Sequence, residues 1–442
     1  MTFSWLWTDV CFLFVLMLGL VFMIRGLRKE LTRQAFVCIV EKPIGVCSAI
    51  VLSFFLMIGV LDSIHLNSPL SSTVLDSILA PLGDTYEKTY SAPMALHAYA
   101  SETVFVHHHA EQMYPVLNYP QRHVQNNHQK WQLIFHDLGE SLGLVIAAMG
   151  VLFGLLVVYR RLRSKDNLYS LSFRGWSAFI TLFICLMMCV LSYQLSRNFH
   201  ILGTGKIGQD IFYYTIKSIR TGLVIGLLTT LFMMPLALFL GIAAGYFGGW
   251  VDDIIQYIYT TLSSVPGVLL ITASVLSLQT YISNHPQTFA TLAETADARL
   301  LALCLILGVT SWTSLCRLLR AEVLKLREID FVLAARVLGS SSFTIIFKHL
   351  LPNVMHIVLI TLVLDFSFLV LAEAVLSYVG VGVSPMTISW GNMINAARLE
   401  LAREPIVWWP MTAAFVVMFT LVLASNLFAD TVREAFDPHR GD

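Results

Sequence analysis

Asp365 and Glu373 stand inside an apolar run, about 354–379, that is long enough to cross a bilayer. Ionisable groups at such depth are expensive and usually serve a function or a partner. The two lie about 12 Å apart along a helix, roughly on one side. They could line a translocation pathway, meet a partner subunit or carry protons. Each could equally bond to a neighbouring helix and only fix packing, because an unpaired buried carboxylate is costly. His107-His108-His109 suggests a second chemistry, since neutral imidazole ligates metals. These three sit in a polar stretch, 62–140, that holds eight of the thirteen histidines. Adjacent histidines do not all face one ion, and no cysteine or firm ligand spacing accompanies them. A solvated loop explains them, so no metal site is expected.

A nucleotide site needs G-x-x-x-x-G-K-[ST]. The nearest string is Gly205-Lys206, but Ile207 follows it and His200 stands where the first glycine should be. No G-x-S-x-G, H-E-x-x-H or paired-carboxylate arrangement points to catalysis. The chain is therefore not expected to be an enzyme or to hold a cofactor; its residues are suited to forming a path.

The elements that position them are apolar. The chain is 57% hydrophobic and 13% charged, with mean hydropathy +0.72. A soluble domain carries about twice that charged fraction. The pattern predicts an all-α polytopic membrane protein with about nine transmembrane helices. They lie near 5–24, 44–61, 142–159, 176–193, 219–245, 254–282, 300–316, 354–379 and 407–429. The first run precedes its basic residues and shows no small-residue cleavage site, which favours a span over a signal peptide. All seven cysteines lie in or beside spans, so no disulfide framework is implied. The zero net charge says little about partners, and no nucleic-acid partner is expected.

Basic residues are unevenly distributed. Segments 25–42 and 160–175 carry five Lys/Arg each and 317–353 carries six, whereas 62–140 carries three. The positive-inside rule then places the N-terminus and 62–140 outside and the C-terminus inside. Segment 246–253 fits this poorly, with Asp252, Asp253 and no base.

Between the seventh and eighth spans lies Arg317–Asn353, RLLRAEVLKLREIDFVLAARVLGSSSFTIIFKHLLPN. It is too charged to cross, yet Val323, Leu324, Ile329, Val332, Ala335 and Leu338 roughly follow a helical period. Gly339 should stop a first helix, Ser340–Ser342 should cap a second, and Pro352 should close that one. Two short amphipathic helices on the membrane surface follow. Their apolar face could pack on its own bundle or receive a soluble partner.

Ala334, Ala335, Gly339, Leu351 and Pro352 match the EAA loop of ABC-importer permeases. DFVLAARVLGSSSFTIIFKHLLPN resembles the dipeptide/oligopeptide/nickel permease family, of DppC/OppC type. GYFGGWVDD, SSVPG, EAVLSYVGVGVSP, SWGNM and NLFADTVREAFDPHR resemble further family segments in the same order. His200–Asp210 resembles the family's H-x-L-G-T-D-x-x-G-R-D, with Gly205 in place of the Asp and Gln209 in place of the Arg. Leu333 stands where the loop usually has glutamate. The resemblance covers the chain from about residue 170.

That resemblance implies a six-helix permease core, 171–442, in a bacterial inner membrane. Its loop 317–353 would be the ATPase-coupling element, through Asp330, Ala334, Ala335, Arg336, Gly339, Leu351 and Pro352. It further implies a homologous permease subunit, two cytoplasmic ABC ATPase subunits, a periplasmic substrate-binding protein and surrounding lipid. Residues 1–170 remain as an N-terminal extension with about three spans and the outer stretch 62–140. Nothing in them matches the core, so they are expected to be dispensable for coupling. The rival expectations are a proton-coupled secondary transporter using Asp365 or Glu373, and a membrane anchor or assembly protein.

Overall fold

The computed structural model describes residues 6–26, 28, 30–65, 73–83, 85–106, 109–119, 124, 126–162, 173–285 and 291–436. His107, His108 and His123 lie outside the described residues, as does the expected boundary at 170/171. Among the described residues, nine helices are long and apolar enough to span a membrane.

In chain order, α1 is Trp7–Gly26, α2 Glu30–Glu41, α3 Pro43–Ser63, α4 Val74–Ile78 and α5 Ala80–Gly83. An antiparallel hairpin follows, β1 Glu102–Val106 with β2 His109–Met113, Glu102 opposite Met113. Then come α6 Asn127–Leu162, α7 Phe173–Ser196, α8 Ile211–Phe247, α9 Gly249–Ser264 and α10 Gly267–Asn284. The last part holds α11 Leu292–Arg327, α12 Asp330–Val337, α13 Ser342–Thr344, a π-helical turn Ile345–Leu350, α14 Leu351–Val379, α15 Trp390–Ala397 and α16 Trp409–Ala435.

Three expectations need correction. The stretch 62–140 is not a plain loop: it holds two short helices, the hairpin and the first turns of α6. The sixth span is α10 alone, not 254–282. Residues 249–264 form a separate amphipathic helix, cut from α10 at Val265-Pro266, where Pro266 has no N–H to continue the ladder. The third is Pro352, which sits at the start of a helix and does not close one.

Packing divides the chain into two compact units. The first comprises residues 1–4, 37–220 and 388–424. In it α3 and α6 pack on α7. Leu75, Leu79, Leu82 and Tyr119 form a small buried core with Ile58, Leu61, Phe212 and Tyr213. Trp390 and Trp409 are buried, and their indole N–H groups donate to the carbonyls of Thr215 and Thr204 at 3.1 and 3.0 Å.

The second comprises residues 5–36, 221–387 and 425–442. In it α1, α9, α10 and α14 all pack against α11. α8 approaches α11 closely at Gly241 and Gly245, where an added Cβ would lie 2.9 Å from the Cys316 carbonyl oxygen and 2.7 Å from Val323 Cβ. Small residues permit such approach where lipid offers no hydrophobic drive between helices. The core of this unit runs from Met233 and Ala237 to Val332, Ala335, Ile345 and Leu350.

Candidate functional site

The 317–353 segment is the end of one spanning helix, a short linker helix and the start of another. α11 continues through Arg317, Arg320 and Arg327 and is capped at Glu328. α12 begins with Asp330 in its first turn, where a negative charge suits the helix dipole. It ends in a Schellman arrangement: Gly339 N–H donates to Arg336 O at 3.1 Å and Ser340 N–H to Ala335 O at 3.0 Å. That geometry needs φ near +76° at Gly339, which a side chain would strain. Ser341 then caps the next helix, its Oγ accepting from Thr344 N–H at 3.3 Å.

Here the reading of Pro352 fails. It does not close a second helix; Ser342–Val379 runs unbroken. Pro352 sits in the first turn of α14, directly after the π-helical turn. A proline lacks the N–H an α-helix would need, and the wider turn before it accommodates that loss.

The apolar residues of this segment face two ways. Val323, Val332, Ala335, Ile345 and Leu350 are buried in the unit's own core. Val337 and Leu338 are 87% and 84% exposed, and Phe331, Phe343 and Phe347 are exposed beside them in sequence. Phe343 and Phe347 stack with centroids 6.3 Å apart. Ala334 is exposed whereas Ala335 is buried, so the two alanines are small for different reasons. Asp330 and Arg336 are exposed, Leu351 is half-buried and Pro352 is exposed.

Asp252 resolves the charge anomaly near 246–253. Its two oxygens accept from Arg320 Nε and Nη2 at 2.5 and 2.7 Å. The base that was missing from the local sequence comes from α11. The Arg320 hydrogen bond holds the Asp252 carboxyl below the usual aspartate range.

The intramembrane acids occupy different surroundings. Glu373 is buried and accepts from the Ser377 hydroxyl at 2.7 Å. Asp365 is half-buried, and its Oδ2 finds no hydrogen-bond partner among the described residues. Asp365 lies about 20 Å along α14 from Pro352, so the structure does not join these acids to the loop residues.

A further polar cluster, in the first unit, escaped the sequence reading. His200 is fully buried, with Nδ1 2.6 Å from Asp210 Oδ2 and Nε2 3.6 Å from Glu87 Oε1. Glu87 also accepts from the N–H groups of Asn118 and Tyr119 at 3.1 and 2.8 Å. Burial works against a charged imidazole, but the two carboxylates outweigh it and raise the His200 pKa to about 9. Burial likewise opposes the Glu87 carboxylate, yet His200 and the two N–H groups hold its pKa below the usual value. Ser91 joins the same place, its carbonyl accepting from Thr204 N–H at 3.1 Å and its N–H donating to Thr204 Oγ1 at 2.7 Å. His200 and Asp210 were visible in the H-x-L-G-T segment. Glu87 carried no signal, because its partner lies far along the chain.

Among the described residues, His136, Asp137 and Glu140 place one ligand atom each within 4.8 Å. His136 and Glu140 are exposed, and Asp137 accepts from Asn198 Nδ2 at 2.7 Å. The group is the early face of α6, and two of its three members are open to solvent.

Residues 237–441 match the family described as binding-protein-dependent transport system inner membrane component. The dipeptide transport system permease protein DppC of Lactococcus lactis subsp. cremoris is 32% identical over 56% of this chain and 66% of its own length. The glutathione transport system permease protein GsiD of Pectobacterium atrosepticum is 30% identical over 54% of this chain and 72% of its own. The oligopeptide transport system permease protein OppC of Mycobacterium tuberculosis is 32% identical over 54% and 76%. With this match, and with nine helices among the described residues long and apolar enough to cross a membrane, the chain belongs to the family of inner-membrane permease components of binding-protein-dependent ABC importers.

Proposed function

We propose that this chain is one membrane-spanning subunit of an ATP-driven importer for peptides or similar small solutes. It pairs with a homologous permease, receives substrate from a periplasmic binding protein and is driven by two cytoplasmic ATPase subunits. Its N-terminus and outer stretch 62–140 face the periplasm, and its C-terminus faces the cytoplasm. Residues 171–442 are the transport core and 1–170 an extension to it.

The observation that carries this reading is the two-faced 330–350 element. Val332, Ala335 and Ile345 anchor it to its own bundle, while Val337, Leu338, Phe343 and Phe347 stand exposed. Contiguous exposed apolar groups mark an interaction site. The charged ends of α11 and the Gly339 turn hold that face outside the bilayer. ATPase closure pressing on it would bias the bundle between two states, with the energy coming from differential affinity for them. The peptide assignment follows the dipeptide and oligopeptide transport systems to which the DppC and OppC relatives belong.

The test is purification of the chain from its native membrane, with co-purifying subunits identified by mass spectrometry. The reading expects a second permease and two ATPases, lost when Val337 and Leu338 are both changed to Asp. A chain that purifies without ATPases, in membranes that contain them, would sink it. Asp365 Oδ2, which finds no hydrogen-bond partner among the described residues, favours a proton-coupled carrier; such a carrier would transport without any ATPase.

A further inference from the structure

Three arginines of the 317–353 segment reach the elbow between α8 and α9, and a fourth reaches the middle of α9. Arg320 grips Asp252 with two hydrogen bonds. The Arg327 guanidinium is within 3.5 Å of the carbonyl oxygens of Gly245 and Tyr246. Arg336 lies over the Tyr246 ring at 5.7 Å and Arg317 over the Tyr259 ring at 5.6 Å. The elbow itself is bent by two successive left-handed glycines, Gly248 at φ +65° and Gly249 at φ +54°. α9 buries Ile255 and Tyr259 against α11 and exposes Trp250, Ile254, Tyr257 and Ile258 on the opposite side. Their spacing is that of one helical face.

We infer that α9 is an interfacial helix that links the coupling element to the membrane, with Asp252 the positioning residue of that link. This rests on the reading that 330–350 receives the ATPase stroke. The exposed face of α9 takes lipid. The chain leaves a span at Phe247 and enters the next at Gly267, with Val265 and Pro266 between α9 and α10. Directly after this break, Val268 and Leu269 at the start of α10 are exposed as well. Trp and Tyr on an amphipathic helix suit the headgroup boundary, where their rings are buried and their polar edges stay wet. Motion of α12 then reaches α10 by two routes. One runs through the bond between Arg320 and Asp252, and the other through the rings of Tyr246 and Tyr259. Tethered to the bilayer surface, α9 turns the stroke into a tilt of α10 rather than a sliding of the whole bundle.

The experiment uses the assembled importer in liposomes and compares wild type, D252N, R320D and the swap D252R/R320D. ATPase bound per permease and substrate moved per ATP hydrolysed are both measured. Expected is retained docking with substrate per ATP falling about tenfold in each single variant, and partial recovery in the swap. D252N leaves the Arg320 charge without its carboxylate, and R320D sets two carboxylates against each other, in a half-buried site. If D252N only lowers the yield of folded permease while each assembled complex keeps its substrate per ATP, Asp252 is a brace and the inference is wrong. If wild type binds no ATPase, the underlying reading fails instead; if wild type couples and D252N couples equally, this inference alone fails. A spin label at Y257C, in a protein without native cysteines, decides the occupant. Relaxation by oxygen above that by an aqueous nickel chelate supports lipid. Protection from both, or preference for the chelate, overturns it.

Discussion

Removing the Glu87 carboxylate should loosen the 62–126 part of the first unit, in a pH-dependent way. The imidazole of His200 titrates ordinarily near 6.5 and is raised to about 9 in this cluster. A raised folded-state pKa contributes stability that is fully present below 6.5 and lost as pH rises through about 9. That difference amounts to about 3 kcal/mol at its largest. Glu87 behaves in the opposite sense: its lowered pKa contributes stability above the ordinary 4.5, lost as pH falls further. The cluster is therefore strongest between about pH 5 and 6.5. Glu87→Gln removes one of two charges on His200 and should cost about 1–2 kcal/mol at pH 6. Glu87→Ala also strands the N–H groups of Asn118 and Tyr119 and should cost about 3–5 kcal/mol. The assay is limited proteolysis and thermal unfolding of the purified chain at pH 6 and pH 9.5. Both variants should be cleaved faster than wild type within 62–126 at pH 6, with the Gln difference largely gone at pH 9.5. Equal cleavage of wild type and Glu87→Ala at pH 6 would refute the argument. The same contacts oppose the expectation that the extension is dispensable, since Glu87 and Ser91 bond directly to the His200–Asp210 segment.

Glutamate at two adjacent alanines should separate packing from docking. Ala335→Glu buries a charge in the unit's own core and should lower protein levels, by several kcal/mol of stability. Ala334→Glu is exposed and should stay within about 0.5 kcal/mol of wild-type stability while binding less ATPase per permease. At Gly339, alanine should cost only about 1–2 kcal/mol for the left-handed backbone. Proline there cannot adopt φ +76° and loses the N–H bonded to Arg336 O, so co-purified ATPase should fall more than about tenfold. Uptake in cells should persist when a protonophore collapses the proton gradient while ATP is maintained, and Asp365→Asn should keep that resistance. A proton-coupled carrier predicts loss in both measurements.

Most of the architecture was legible because membrane helices must be long and apolar. The Gly339 turn was legible too, since a glycine after an amphipathic run has few other uses. The false sixth span arose because Ile254, Ile255, Ile258 and Leu262 of α9 continue the hydropathy of α10, leaving Pro266 as the boundary signal. The misreading of Pro352 had a different origin: a proline ends an α-helix, but not one that has just widened into a π turn. Asp252 seemed misplaced because its base, Arg320, comes from another helix. Ala334 and Ala335 looked alike because a short helix turns adjacent residues by 100°, one outward and one into the core. Glu87 was illegible for the plainest reason. Periodicity reports local structure, and its partner is the distant His200.

The central claim, that the exposed face of α12 and α13 receives an ATPase, is tested most directly by cross-linking. A photoactivatable residue would replace Leu338, 84% exposed at the Gly339 turn, and a control would replace Leu350, fully buried in the same segment. Illumination of native membranes should join the Leu338 probe to an ATPase subunit, in a yield that changes when ATP is trapped in the complex. The Leu350 probe should give only adducts within the chain. An ATPase-free pattern at Leu338, in membranes where the intact importer takes up substrate, would contradict the account.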